Sequence, residues 1–267
     1  MNLVIVGSGT LVPHGSRGPA AHWVETETGR VLLDCGPGTE RALARFDLDW
    51  AALTHVFLTH FHVDHVGGLP GLLFALRHGV AGGREDPLTV IGPPGTLVHF
   101  RGLADLYGSW VLEPGYPLGV VELEPGASWE DPSGAFSVTT VETAHSDPSV
   151  GFVLDTRDGR LGYTGDTGWT PTLGDAFRGC QILISECSHP EDHGMASHLT
   201  PSQLAEICGI ARPDLLVPVH AYPSLDPEAI PRLLQDAGYD GWVLPGRDGM
   251  SVHLQAGVVG TTETKKP

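Results

Sequence analysis

A short apolar run that leads directly into a cluster of metal-ligating side chains constrains this chain more than any other feature. Residues 55–59 are typical of a buried strand. Four candidate ligands follow within six positions: His60, His62, Asp64 and His65. Because side chains alternate along an extended segment, His60 and His62 point to one side. A turn into a helix that begins near Val66 presents Asp64 and His65 from another direction. The segment therefore predicts ligands for two metal ions, and imidazole and carboxylate groups suit Zn²⁺, with Mn²⁺ or Fe²⁺ as alternatives.

Further candidate ligands follow apolar, strand-like runs elsewhere in the chain. They are His145 after residues 136–142, Asp166 after residues 161–164, and His220 after residues 215–219. Taken alone, a His or Asp at such a position is most simply a polar loop residue. Ligands at the ends of strands share one rim of a sheet, however, so distant segments can converge there. Together with the first cluster, we expect these three residues to complete the metal site.

Strand patterns alternate with helical patterns along the whole chain. Expected strands cover residues 3–6, 21–27, 30–34, 55–59, 88–91, 119–123, 136–142, 151–155, 161–164, 182–185 and 215–219, with two short strands at the end. Expected helices cover residues 39–46, 69–78, 96–107, 201–210 and 227–237. With 41% hydrophobic and 18% charged residues, the chain can bury a large core. We predict one α/β domain over residues 1–267, with two sheets, helices outside and a polar tail from about residue 261.

The order of the candidate ligands resembles that of the metallo-β-lactamase-fold hydrolases, and the resemblance spans positions 34–220. It implies a four-layer αββα sandwich with a dinuclear site at one edge, two Zn²⁺ ions and a hydroxide between them. The implied ligands are His60, His62 and His145 for one metal, Asp64, His65 and His220 for the other, and Asp166 as the bridge. Asp34 resembles the first motif of the family, and would orient a ligand imidazole through its N–H. The alternative for Asp34 is a turn residue ahead of Gly36.

Within this superfamily the chain looks most like the ribonuclease Z-like group. The similarity lies in the segments 6–10, 67–72 and 197–200. The group places a Glu at a strand end and a His in a loop beside the metals, and Glu186 and His198 match these positions, although Leu199 replaces the usual Ser. The resemblance implies phosphodiester hydrolysis, in which His198 protonates the leaving oxygen and Glu186 holds its imidazole. Asp64 counts among both the catalytic residues and the ligands.

The expected substrate follows from charge and from the length of one connection. In ribonuclease Z, a long arm that clamps tRNA is inserted in the chain between the segments that correspond to those of His145 and Asp166. Here only 20 residues, 146–165, separate these two positions. The chain has 15 basic and 32 acidic residues, a net charge of −17, whereas proteins that bind nucleic acids are usually basic. We therefore expect small phosphodiesters, such as cyclic nucleotides or 2′,3′-cyclic phosphates, and regard tRNA as an improbable substrate.

Several alternatives remain open at this point. The chain could be an RNA 3′-processing endonuclease of the ribonuclease Z type whose RNA clamp comes from a partner subunit. The same metals could serve hydrolysis of a lactone, a carboxylic ester or a sulfate ester. A non-catalytic binding protein is disfavoured because every ligand position holds a competent residue.

The remaining features bear on location and on the surroundings of the site. Four cysteines without a CxxC pair, no signal-peptide pattern and no apolar run of membrane length predict a cytoplasmic protein that does not contact membranes. Members of the family are often dimers, so the resemblance allows a homodimer.

Aromatic residues between positions 78 and 129 are expected to pack in the core rather than line a pocket; they are Phe100, Tyr107, Trp110 and Tyr116. His189 and His193 are expected to be loop residues.

Overall fold

Two β-sheets pack face to face in the computed structural model, which describes residues 1–262. The strands are β1 (Asn2–Gly7), β2 (Ala21–Glu25), β3 (Arg30–Leu33), β4 (His55–Phe57), β5 (Leu88–Gly92), β6 (Leu118–Glu122), β7 (Ser128–Glu130), β8 (Phe136–Glu142), β9 (Val150–Thr156), β10 (Gly159–Tyr163), β11 (Ile182–Glu186), β12 (Leu215–Val219), β13 (Ser251–Gln255) and β14 (Val258–Thr262). The first sheet has the order β14-β13-β1-β2-β3-β4-β5-β6, and the second has the order β12-β11-β10-β9-β8-β7. Strands from both ends of the described chain thus meet in the first sheet.

Helices cover the outer faces of both sheets. They are α1 (Thr39–Arg45), α2 (Val63–Val66), α3 (Leu69–His78), α4 (Thr96–Tyr107), α5 (Leu173–Ala176), α6 (Pro201–Ala211) and α7 (Ile230–Asp236). Apolar residues of α1, α3 and α4 form one core cluster with the outer face of the first sheet. Residues of α5, α6 and α7 form another with the outer face of the second sheet. The predicted four-layer αββα sandwich is therefore confirmed. Within residues 1–262, no helix has the length and apolar character needed to span a membrane.

The alternation of side chains along the strands builds the layers. In β1, Leu3 and Ile5 enter the core between the sheets, whereas Val4 and Val6 pack in the outer layer beneath the helices. Phe57 and Phe152 meet in the middle of the inter-sheet core, with ring centroids 5.2 Å apart, and both are fully buried. Burial of each such side chain contributes roughly 1.5–3 kcal/mol to folding.

Parallel strands bring the candidate site residues to one edge of the sandwich. Strands β3 to β6 run parallel to one another, and so do β10 to β12. Because the carboxyl ends of parallel strands lie at the same edge, residues that follow them converge. Asp34 follows β3, His60 follows β4, Asp166 follows β10 and His220 follows β12. Asp34 and His220 have φ values of 57° and 60°, so the chain turns sharply where these two side chains enter the site.

The boundaries differ from the sequence expectation in a few places. The helix expected near Val66 begins at Val63, so Asp64 and His65 lie within its single turn. The short elements β7 and α5 have no expected counterpart, because segments of three and four residues are too short for a periodic pattern. The helix expected over 227–237 is a 3₁₀ turn followed by α7. Of the expected polar tail, Thr261 and Thr262 close β14, and residues 263–267 lie outside the described residues.

Candidate metal centre

The structure brings all seven expected ligands together between the two sheets. Their ligand atoms form two groups in which every atom lies within 4.8 Å of the others: His60, His62, His145 and Asp166 in one, and Asp64, His65 and His220 in the other. The Asp166 carboxylate joins the groups, with Oδ2 at 3.7 Å from His145 Nε2 and Oδ1 at 3.3 Å from His65 Nε2. The grouping matches the division of ligands between two metals that the sequence resemblance implies.

The outward-facing nitrogens of four imidazoles are held by neighbouring groups. The four contacts are His65 Nδ1 with Asp34 Oδ2 at 2.7 Å, His60 Nδ1 with Thr59 Oγ1 at 3.0 Å, His145 Nδ1 with the Ser197 carbonyl at 2.9 Å, and His220 Nδ1 with Ser188 Oγ at 3.2 Å. A partner at Nδ1 fixes the ring orientation and leaves the lone pair on Nε2. The four rings are thus oriented to bind metal through Nε2.

The inner atoms of the cluster are buried without hydrogen-bond partners. They are the Nε2 atoms of His60, His65 and His220 and the Oδ1 atom of Asp166. Buried polar atoms are rarely left unpaired, because an unsatisfied group costs about 1–3 kcal/mol. His145 Nε2 and His62 Nδ1 also face each other at 3.0 Å. Convergent unpaired nitrogen and carboxylate atoms are the donor set that a divalent cation such as Zn²⁺ requires, so the residues fit the implied metals.

The electrostatics of the cluster favour added positive charge. Burial lowers the pKa of His60 to about 2, which keeps this imidazole neutral. Burial raises the pKa of Asp64, but the facing His220 imidazole, with Nε2 at 3.4 Å from Asp64 Oδ2, outweighs it and the pKa falls to about 2. Burial lowers the pKa of His65, yet the facing carboxylates of Asp166 and Asp34 outweigh it and raise that pKa well above its usual range. The neutral imidazole of His60 and the ionised carboxylate of Asp64 are the forms that bind metals, and a metal bound at His65 would displace the proton that its raised pKa retains.

Asp34 is fully buried and accepts four hydrogen bonds at the seam between the sheets. Its Oδ1 accepts from the Thr59 backbone N–H at 2.8 Å, and its Oδ2 accepts from the Thr59 hydroxyl at 2.8 Å. Oδ2 also contacts His65 Nδ1 and accepts from the Tyr163 hydroxyl, both at 2.7 Å. Asp34 therefore lies where it can orient the His65 imidazole. Tyr163 escapes sequence reasoning because its pattern is that of an ordinary core residue in a strand.

Glu186 and His198 lie beside the metal ligands and contact each other. His198 Nδ1 is 3.0 Å from Glu186 Oε1, and both side chains are buried. A third group of potential ligand atoms joins His198 to Asp166 and His220. Burial lowers the pKa of His198, but the hydrogen bond to Glu186 outweighs it and raises that pKa. The pair can therefore hold a proton next to the metal site.

Ser188 connects this pair to the metal ligands, although sequence reasoning assigned it no role. Its hydroxyl donates to Glu186 Oε2 at 2.5 Å and lies 3.2 Å from His220 Nδ1. The Leu199 and Thr167 backbone N–H groups also donate to the Glu186 carboxylate, at 3.1 and 2.6 Å. Glu186 is thus fixed from several directions. Its sequence signals are its position two residues after Glu186 and its place in the Cys-Ser-His-Pro run of residues 187–190.

The surroundings of the centre agree with sequence expectations in most places. The expectation of core packing is confirmed for Phe100 and Tyr116, which are buried in the layer beneath the helices. It is wrong for Tyr107, which is exposed on α4, whereas Trp110 is partly buried against the same layer. His193 is exposed and contacts Asp192, as expected of a loop residue. His189 differs, because its ring stacks on Tyr222 and lies edge-on to His198, with centroids 4.6 and 5.7 Å apart.

A groove of about 620 Å³ opens beside His145. Its walls carry three carboxylate side chains, from Glu124, Glu142 and Asp147, together with prolines and hydroxyl groups. The groove is therefore acidic where it meets the metal ligands. This charge is opposite to that of a surface that binds phosphate backbones.

An αββα sandwich with convergent His and Asp ligands at one edge defines a metal-dependent hydrolase. A family model described as the beta-lactamase superfamily domain matches residues 29–221, and the chain belongs to this family. The chain is similar to a ribonuclease Z from Haloferax volcanii, with 35% identity over 163 residues, which cover 60% of this chain and 49% of the relative. The matched region thus spans about half the length of this curated relative.

Solved structures with low sequence identity share the fold. The metallo-beta-lactamase fold protein YhfI from Bacillus subtilis superimposes with a TM-score of 0.82 at 19% identity, covering 97% of this chain and 99% of that one. The short form of human tRNase Z superimposes with a TM-score of 0.77 at 23% identity, covering 95% and 99%. These likenesses show the fold, and the family model confirms the expected family and enzyme class.

Proposed function

We propose that this hydrolase is a phosphodiesterase of the ribonuclease Z type that cleaves an RNA phosphodiester near a 3′ end. The Glu186–His198 pair beside the metal ligands carries the proposal, because it provides a proton donor for an alkoxide leaving group. The relatives named ribonuclease Z support RNA as substrate over the small phosphodiester that sequence reasoning placed first. We therefore propose RNA as the first candidate substrate, although the short connection between His145 and Asp166 argues against it.

The ligand groups described above would hold two divalent cations, and nitrogen and oxygen donors favour Zn²⁺. His60, His62 and His145 would bind one ion, Asp64, His65 and His220 the other, and Asp166 both. When bound, such ions polarise the phosphoryl group and lower the pKa of a coordinated water.

The chain's own residues supply orientation and proton transfer. The His198 Nδ1–H donates to Glu186 Oε1, so Nε2 is the nitrogen that can face the reacting phosphate. A proton on Nε2 passes to the leaving oxygen as its bond to phosphorus breaks, and the imidazole becomes neutral. Glu186 holds the ring in this orientation, and Ser188 holds Glu186. Asp34 keeps the His65 ring in place at the other ligand group.

A small phosphodiester is the second candidate substrate. Strands β9 and β10 form a hairpin with only Arg157 and Asp158 in its turn, so residues 150–163 provide no extended arm for tRNA. We propose that RNA binds outside this hairpin.

Free, buried thiols at all four cysteines support the proposed cytoplasmic location. A homodimer stays a prediction.

The proposal is tested by cleavage of an oligoribonucleotide with a 3′ extension, beside bis-p-nitrophenyl phosphate, a cyclic nucleotide, a lactone and a sulfate ester. His198→Ala should lower kcat on the oligoribonucleotide about 10²- to 10⁴-fold with metal content unchanged. The loss should be much smaller for the nitrophenyl ester, because nitrophenolate leaves without protonation. His193→Ala, an exposed histidine of the same loop, is the matched control.

Three outcomes would count against the proposal. Equal losses on both leaving groups in His198→Ala would remove the proton-donor role. Cleavage of cyclic nucleotides without cleavage of RNA would favour the small phosphodiester. Turnover of only the lactone or the sulfate ester would exclude both phosphodiester candidates.

A further inference from the structure

Two aromatic side chains that no ligand group uses form a stacked pair beside the proton donor. The His189 and Tyr222 rings lie 4.6 Å apart at an interplanar angle of 19°, and both are partly exposed. Their backbones are anchored: the Tyr222 N–H donates to the Ser188 carbonyl at 3.0 Å, and the His189 N–H to the Leu199 carbonyl at 3.4 Å. The pair is therefore a fixed aromatic surface rather than a mobile loop.

The position of this pair relates it to one side of the reaction. His198 lies edge-on to both rings, with centroids 5.9 Å from Tyr222 and 5.7 Å from His189. His220, a metal ligand, lies edge-on to Tyr222 at 5.7 Å. Since His198 donates its proton to the leaving oxygen in the proposed function, the stacked pair borders the part of the substrate that leaves. In that function the reacting phosphate would lie among the metal ligands, which adjoin the pair through His220.

Charge argues that rings rather than cations recognise this part of the substrate. The chain carries 32 acidic and 15 basic residues, and its only lysines are Lys265 and Lys266. The groove beside His145 is lined by carboxylates. Contacts to a phosphate backbone, which need Arg or Lys, are thus disfavoured near the site. Aromatic stacking provides affinity for a nucleobase without such charges, and it tolerates any base because every base has a π face.

We propose that the His189–Tyr222 pair is a stacking platform for the nucleobase of the leaving nucleoside, and that these two residues determine the preference for a nucleotide over a base-free phosphodiester. The inference rests on the proposed function, because it assigns the leaving group to a nucleoside. According to this proposal, the substrate needs only one base next to the scissile phosphate. An unpaired 3′ region of RNA presents such a base, whereas a base inside a duplex is already stacked.

Equilibrium binding tests the platform without turnover. The ligands are adenosine 3′-monophosphate and its abasic analogue, 1,4-anhydroribitol 3-phosphate, titrated calorimetrically into Zn²⁺-loaded protein. The ratio of their dissociation constants isolates the base, and we expect the wild type to prefer the nucleotide about 5- to 150-fold. Tyr222→Ala and His189→Ala should bring this ratio close to one. Tyr222→Phe should keep the preference, because it keeps the ring. Tyr107→Ala, which removes an exposed tyrosine from α4, is the matched control.

The outcomes separate the platform from the proposed function. A ratio near one in the wild type, or an unchanged ratio in both alanine variants, would overturn the platform. A ratio lost in both alanine variants and kept in Tyr222→Phe and Tyr107→Ala would support it. If that pattern occurs in a protein that cleaves no RNA, the platform stands and the proposed function falls.

Discussion

Replacing Asp34 by asparagine should weaken metal binding without displacing the backbone. The substitution keeps the shape of the side chain, and asparagine tolerates the φ of 57° at this position. The carboxylate has four donors around it, three at Oδ2 and one at Oδ1. An amide can place its oxygen at the Oδ2 position, but its NH₂ group then faces the Thr59 N–H, and two donors meet. The imidazole of His65 also loses its anionic partner.

Two magnitudes follow from these contacts. A buried donor left unsatisfied costs about 1–3 kcal/mol, so the metal-free protein should lose roughly this much free energy of unfolding. Removing the carboxylate that orients a ligand imidazole typically costs about 10- to 100-fold in metal affinity. At 1.36 kcal/mol for each factor of ten, that is about 1.4–2.7 kcal/mol of binding free energy. Denaturant unfolding of the metal-free protein measures the first loss, and competition with a chromophoric chelator measures the second.

Asp131→Asn separates an effect on the metal from general loosening. Asp131 is also a buried carboxylate next to an imidazole, with Oδ1 at 3.3 Å from His55 Nε2, and it accepts from the backbone N–H groups of Ser133 and Ala135. His55 lies at the opposite end of β4 from the metal ligands. Asp131→Asn should therefore lose stability but keep metal affinity. Unchanged metal affinity in Asp34→Asn, or equal losses of affinity in both variants, would refute the orienting role of Asp34.

Three further substitutions probe the site and the core. Asp166→Ala should abolish metal retention and nearly all turnover, because Asp166 joins both ligand groups. Full activity together with an unchanged metal content would contradict the proposed site. Gly165→Ala places a Cβ 2.7 Å from Thr59 Cβ at a φ of 58°, so it should reduce the stability of the protein and also its metal affinity, which chelator titrations measure. Gly179→Ala is the control: its φ is 81° and the space around it is open, so it should cost only backbone strain of about 1 kcal/mol. Phe152→Ala should lower the free energy of unfolding by about 3–5 kcal/mol in denaturant titrations; a loss below 1 kcal/mol would contradict its central packing.

The sequence predicts which candidate ligands converge because their signals are local. The cluster from His60 to His65 is continuous, and each distant ligand directly follows a strand whose apolar run is readable. The long helices α3 and α4 are predicted with their observed bounds for the same reason. Short elements are missed where a few residues show no period. The single helical turn α2 begins earlier than expected because residues 60–62, which precede it, give no capping signal.

Residues that support the ligands are not predictable in this way, since their contacts form only when distant strands pack. Tyr163 looks like a core residue of β10, and its hydroxyl meets Asp34 only because the two sheets face each other. Ser188 meets His220 across 32 positions of the chain. The stacking of His189 on Tyr222 likewise depends on how two loops lie side by side. Sequence periodicity reports which face of an element is buried, but not which side chain it meets there.

The position of the centre at the seam between the sheets explains why its supports come from opposite sides. The cluster from His60 to His65 follows a strand of the first sheet, whereas Asp166 and His220 follow strands of the second. Backbone contacts cross the same seam: the Val150 N–H donates to the Thr59 carbonyl at 2.9 Å, and the His220 N–H to the Ser8 carbonyl at 2.9 Å. The first sheet presents four of the seven candidate ligands and the second presents three, so only the folded sandwich brings the complete set together. Any change that shifts one sheet against the other should therefore be felt first as a loss of metal affinity, before the cores on the outer faces lose their packing.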